Sequence, residues 1–228
     1  EPSTDNPADL MPEIAGRLCY LSYGKGRKEN SDYLNNILSV KHGSVVEHTV
    51  FNFLFTGVSR SLTHELVRHR AGFGYSQLSQ RYVDESACAF VEPRVVAEDP
   101  EAHRLFAEAV TAARDAYIAL ADRLEEVIRA KGLEGDMSKT RIRKLAREAA
   151  RAVLPNATET KIFVTANGRA LRHFLELRGS PDAEPEIRAL AVQLCRLLQT
   201  EAPNLFADYE LYPLPDCSEA VRTPNPKV

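Results

Sequence analysis

Three side chains able to hold anions, Arg68, His69 and Arg70, stand together in this chain of 228 residues. Two glycines, Gly72 and Gly74, follow them, and then the polar run Ser76-Gln77-Leu78-Ser79-Gln80-Arg81. Guanidinium forks suit phosphate and carbonyl oxygens, and glycine lets the backbone turn closely against a bound group. The constellation reads as an anion-binding site and not as a packing pattern. Ser79 has no histidine base at a diagnostic spacing, so it is expected to hydrogen-bond a phosphate or nucleotide instead of acting as a nucleophile.

Two other chemistries compete for the same residues. His64, Glu65 and His69 are similar in type to the zinc-protease helix, in which two histidines one turn apart share a face. Here the second histidine lies one residue too far, and at about 100° per residue it leaves the face of the first. Arg68 occupies the position a ligand would need, so no metal is expected. Gly72-x-Gly74 is no dinucleotide fingerprint either, because the third glycine is absent and the segment follows a predicted helix where a strand is required.

The elements that must carry these residues are legible in the periodicity. Val58, Leu62 and Leu66 predict a helix leading into the Arg-His-Arg cluster, with Thr49–Thr56 alternating before it as a strand. Leu10, Ile14 and Leu18 predict a first helix over 8–20 with Arg17 on its polar side. Tyr33, Leu34, Ile37 and Leu38 share a face of a second helix that follows Ser31. The basic loop Tyr23-Gly24-Lys25-Gly26-Arg27-Lys28 lacks phosphate-loop spacing. A long helix is predicted from about Pro100 to Ala130, broken by Gly132 to Gly135, and its apolar stripe is expected to serve packing, including packing between subunits. Ser138 then starts a helix whose Lys144, Arg147 and Arg151 form a basic face. A second strand is expected over 158–165, a turn at Asn167-Gly168, a helix from Arg169 to Arg178, and a last helix from Glu184 to Thr200. Beyond Asp208 the prolines predict a loosely ordered tail, about 209–228. Two strands among several helices around one core give the α+β class, as a single domain spanning 1–228.

Composition narrows the function. With 44% hydrophobic and 27% charged residues the chain reads as an ordinary soluble protein, and no apolar run approaches a bilayer span, so no membrane partner is expected. The start is polar and acidic, unlike a signal peptide, which predicts a cytoplasmic protein; it also lacks an initiator Met, so a short leading segment is expected to be missing. A net charge of −3 argues against coating nucleic acid, although the basic helix from Lys139 to Arg151 remains the best case for a nucleic-acid or nucleotide-binding module. Cys19, Cys88, Cys195 and Cys217 are scattered, which fits reduced, structural thiols.

The Arg-His-Arg cluster, its spacer and Ser76-Gln77-Leu78-Ser79-Gln80-Arg81-Tyr82 together resemble the defining motif of the flavin-dependent thymidylate synthases. The likeness extends through His42-Gly43-Ser44-Val45-Val46-Glu47-His48, Arg151-Ala152-Val153-Leu154-Pro155, and Asn167-Gly168-Arg169 to Arg178. From composition alone His42 and His48 are as well read as structural histidines. The resemblance implies that His42 and Ser44 line the flavin and folate region.

It implies further that FAD is held by Ser44, Arg68, His69, Arg70, Gln77, Asn167, Arg169 and His173, the last replacing an asparagine seen in some members. It assigns dUMP to Glu65, Arg68, Gln77, Leu78, Ser79, Gln80, Arg81, Arg151 and Arg178, with Tyr82 close by, and makes Arg178 the catalytic arginine. The implied reaction is reductive methylation of dUMP to dTMP, with methylenetetrahydrofolate as carbon donor and NADPH as reductant. Homotetramers whose active sites draw on more than one subunit are implied by resemblance alone.

Overall fold

A computed structural model describes residues 3–131 and 137–228. The break expected at Gly132 to Gly135 lies outside the described residues. The architecture is α+β, as expected: eight α-helices and five strands among the described residues. Helices α1 (Pro7–Tyr20) and α2 (Asn30–Ser39) lead through a 3-10 turn at Gly43–His48 into β1 (Val50–Ser59), α3 (Arg60–Leu66) and β2 (Phe73–Gln77). The chain continues through α4 (Arg94–Ala97), α5 (Pro100–Ala130) and α6 (Lys139–Ala150) to β3 (Glu159–Asn167), α7 (Gly168–Arg178) and α8 (Pro185–Glu201). The hairpin β4 (Glu210–Pro213) and β5 (Glu219–Arg222) closes it. Strands β1, β3 and β2 form one sheet in that order. No described helix is long and apolar enough to cross a membrane.

Two compact, interleaved units divide the chain. The first contains 1–53, 65–75 and 163–228. Its core is Leu34, Leu38, Val46, Leu171, Phe174, Leu175, Ile187, Leu198 and Phe206, all essentially buried. Helix α7 starts where Asn167 caps it through Oδ1, which accepts from the Ala170 N–H at 2.8 Å. Its interior carries Arg172, whose guanidinium makes a two-pronged bond to Asp208 at 2.7 Å per prong and lies over the Tyr209 ring. The Tyr209 hydroxyl in turn donates to the Arg172 carbonyl. The segment beyond Asp208, expected to be loose, is thus a paired hairpin with Ala220 and Val221 buried. Its prolines sit where no ladder N–H is required of them, and Asp208 anchors it by accepting from Thr223 and Asn225.

Helix α1 reverses its expected orientation. Arg17 is 7% exposed, while Leu18 is 61% exposed. The buried side holds Asp9, Glu13, Gly16 and Arg17. Glu13 accepts from Arg17 Nε at 2.7 Å and from Asn30 Nδ2 at 2.7 Å, and Arg17 lies over the Tyr33 ring. Apolar periodicity cannot register a core face occupied by a fully hydrogen-bonded ion pair.

The second unit contains 54–64 and 76–162. Val58, expected in a helix, closes β1, and α3 begins only at Arg60, with Ser59 Oγ accepting from the Leu62 N–H at 3.0 Å. Helices α5 and α6 pack together here, with Asp99 and Ser138 as their N-caps. Of α5 only Tyr117 is buried; of the expected apolar stripe Leu105, Ala109 and Leu120 are exposed in the single chain, and Ala113, Leu124 and Val127 are intermediate.

Candidate active site

In the first unit α3 ends at Leu66, and the chain then folds over its own helix end. The Tyr75 hydroxyl lies between the carbonyls of Leu66 at 2.9 Å and His69 at 2.6 Å, so its single proton is shared between the helix-end acceptor and the His69 backbone. Gly72 makes the return with φ of +74°, a left-handed conformation that strains any other L-residue. A Cβ there would stand 2.7 Å from Asn167 Nδ2, so the Gly72 backbone lies against the α7 cap. The Asn167 N–H donates to the Gly72 carbonyl at 3.0 Å. Gly74, expected to share the turn, lies instead in β2, which the sequence pattern did not show.

His69 is buried and packs against Phe73, His173 and Phe174, with ring centroids 5.9, 6.1 and 5.2 Å away. Arg178, the last residue of α7, meets it. Arg178 Nε donates to His69 Nε2 at 3.0 Å, and Nη1 donates to the Glu65 carboxylate at 2.5 Å. A guanidinium tied at two edges presents its remaining N–H groups in a set direction. Burial, then the positive charge of Arg178 and the neighbouring His173, pushes the His69 pKa down to about 4. The imidazole is therefore neutral at ordinary pH and accepts from Arg178.

Around this cluster the other expected residues are more open. Arg68, Arg70 and His173 are exposed, and among the described residues neither Arg68 nor Arg70 has a side-chain hydrogen bond or ion pair. Arg169 is exposed and paired with Glu47 at 2.7 Å. Ser44 is exposed in the 3-10 turn, and the His42 ring lies 5.6 Å from that of Tyr20.

The second unit holds the remainder. Gln77 Nε2 donates to Thr63 and Thr160 at 3.1 and 3.3 Å, and the Leu78 N–H donates to the Lys161 carbonyl. Ser79 Oγ accepts from the Arg81 N–H, and Arg81 pairs with Glu148 at 2.9 Å. Gln80 Nε2 and Arg81 Nε are buried with no hydrogen-bond partner among the described residues. Tyr82 is exposed and receives Lys144 both at its hydroxyl and over its ring. Arg147 binds Asp84 and the Tyr82 carbonyl, so two of the three cations of the expected basic face, Lys144 and Arg147, have internal partners. Arg151 stands in a short 3-10 turn after α6, half-buried.

Sequence reasoning gave no role to Tyr75, Phe73 or Phe174, which shape the His69 pocket. It also missed Arg60 and Glu85, whose Nη1 and Oε1 are buried without a partner among the described residues. A phenol near a glycine turn carries no local signal of the carbonyls it will reach. Among the described residues no group of three or more His, Cys, Asp or Glu side chains is arranged to hold a metal ion.

Fold and site together define an α+β protein in which a helix-terminal guanidinium is aimed by a carboxylate and an imidazole. The chain belongs to the family of thymidylate synthase complementing proteins, whose profile matches residues 3–204. It is 48% identical over 223 residues to a protein of Mycolicibacterium gilvum (strain PYR-GCK), covering 96% of this chain and 86% of that one. A Mycobacterium avium (strain 104) protein is 48% identical over 226 residues, covering 97% and 88%. One from Mycobacterium tuberculosis (strain ATCC 25177 / H37Ra) is 47% identical over 217 residues, covering 94% and 84%. Each of the three bears the name flavin-dependent thymidylate synthase.

Proposed function

We propose that the chain is a flavin-dependent thymidylate synthase that binds FAD and converts dUMP to dTMP, with methylenetetrahydrofolate as carbon donor and NADPH as reductant. The observation that carries this is Arg178 tied to Glu65 and His69, in a chain 48% identical over 223 residues to a protein of that name.

The residues fit a flavin. Arg68 and Arg70 offer guanidinium groups that are exposed and unpaired among the described residues, suited to a diphosphate. Arg68, His69 and Arg70, with Ser44, Gln77, Asn167, Arg169 and His173, hold the cofactor. When bound, the flavin supplies the hydride to the pyrimidine, so that no protein nucleophile is needed.

Arg178 polarises the uracil ring and stabilises the negative charge that develops on it, an oxyanion-type role. Glu65 and His69 keep its guanidinium in one orientation. Arg151 and the segment from Gln77 to Arg81 hold the nucleotide, where the partnerless buried donors of Gln80 and Arg81 suit phosphate oxygens. His42 and Tyr82 belong to the folate and flavin surroundings. The enzyme works as a cytoplasmic homotetramer of single-domain subunits, and the uncovered Leu105 and Leu120 of α5 support subunit packing. The test is the flavin spectrum of the purified protein together with NADPH oxidation with and without dUMP. A yellow protein whose oxidation of NADPH yields dTMP is expected; a colourless protein that forms none contradicts the proposal.

A further inference from the structure

A cavity of about 520 Å³ opens in the first unit between α1 and the loop that follows it. Leu10, Ile14 and Tyr23 give it apolar walls, and Lys25, Arg27 and Lys28 stand along it. The loop is a built rim. Arg17 donates to the carbonyls of Ser22, Lys25 and Arg27 at 3.3, 3.2 and 2.7 Å, so a buried guanidinium gathers the loop backbone and leaves the loop's own cations exposed at the cavity rim. The carboxylate in the lining, Glu13, is already neutralised by Arg17 and further bonded to Asn30 and Ser3. Lys25, Arg27 and Lys28 are exposed and make no ion pair among the described residues. Uncompensated positive charge beside apolar walls calls for an anion with spaced carboxylates on apolar links.

The same helix leads from this cavity toward the region assigned to the folate. Tyr20, the last residue of α1, sets its ring 5.6 Å from His42. We infer that the rim formed by Lys25, Arg27 and Lys28 binds the γ-linked glutamate tail of the folate co-substrate, whose methylene pairs rest on Leu10, Ile14 and Tyr23. The inference rests on the folate role proposed for His42. It makes tail length, and not only the pterin, a determinant of affinity.

The test compares methylenetetrahydrofolate carrying one glutamate with the form carrying five, in the wild-type enzyme and in a Lys25→Gln/Arg27→Gln/Lys28→Gln variant. These are exposed side chains, and the bonds that shape the loop run to its backbone, so the fold is kept. Three exposed charge pairs predict a KM about tenfold lower for the longer tail in wild type, an advantage that shrinks at high salt. In the variant the two KM values converge, with kcat and the single-glutamate KM unchanged. Equal KM values in wild type, or an advantage that survives in the variant, would overturn the tail site. Absence of dTMP with either form would overturn the folate reading itself, and the tail site with it.

Discussion

Arg178 Nε donates its hydrogen to Nε2 of His69 at 3.0 Å, so the imidazole carries its own proton on Nδ1. With its pKa pushed down to about 4, His69 keeps this acceptor role through the neutral range.

The same relationship sets a pH dependence of stability. The unfolded chain protonates a histidine near about 6.5, whereas folded His69 resists until about 4. Stability from this group is complete above the higher value and is lost as pH falls toward the lower one. Urea unfolding of wild type between those values should therefore show a decline that His69→Gln reduces. An identical decline in both proteins would contradict the burial and charge environment assigned to His69.

Gly72 makes a second prediction. Alanine there must adopt φ of +74° and place Cβ 2.7 Å from Asn167 Nδ2. Left-handed strain alone costs about 1–2 kcal/mol. Gly72→Ala should lower the unfolding midpoint and weaken FAD retention measured by flavin fluorescence, since the Asn167 cap must shift. Unchanged values in both assays would show that the close approach has no consequence.

The pair Arg172 and Asp208 predicts the strongest stability effect. Burial raises the Asp208 pKa, but the hydrogen bonds from Arg172, Thr223 and Asn225, with the Arg172 charge, hold it below the usual carboxylate range. The stabilisation is complete above the ordinary value near about 4 and is lost as pH falls through the lower folded one. Arg172→Met leaves a buried carboxylate without its cation and should cost about 3–5 kcal/mol in denaturant unfolding. Replacing Asp208 as well, with Leu, should recover part of that loss. A loss under about 1 kcal/mol in the single variant would mean that the pair is not a buried one.

What the chain discloses on inspection follows from what repeats locally. Helices α2, α5, α7 and α8 announce themselves because Leu34, Ile37, Leu38 and their counterparts recur at helical spacing, and Ser138 starts α6 as expected; Ser31, expected ahead of α2, lies inside it, and Asn167, expected only as a turn, caps α7. The site motif is legible because Arg68, His69 and Arg70 are contiguous. Arg178 is different: it follows His69 by more than a hundred residues, and only a resemblance connects the two before the fold does. Helix α1 misleads because its buried face is polar, and β2 is hidden because it is five residues long, with Gly74 inside it and Gly72 just before it suggesting a turn. The final hairpin is missed for a related reason. Its order comes from Asp208 and Arg172, and long-range ion pairs leave no periodic trace.

The cysteines supply a mechanistic check. Cys195 is fully buried and burial pushes its thiol pKa up to about 11, which makes it a poor nucleophile, while Cys19 and Cys217 are exposed and Cys88 is intermediate. Replacing Cys19, Cys88 and Cys217 by Ser and Cys195 by Ala should leave dTMP formation within about twofold, after correction for any stability lost at the core position. Collapse of activity at a single position, with the protein still folded, would point to a cysteine adduct on the pyrimidine.

The most direct measurement quantifies dTMP made from dUMP by wild type and by Arg178→Ala, with bound FAD determined in the same samples. Equal FAD in both proteins is expected, together with a fall in kcat of about a hundredfold or more in the variant, the loss typical of removing one oxyanion donor. Undiminished dTMP formation by Arg178→Ala would contradict the role given to the guanidinium that Glu65 and His69 hold in place.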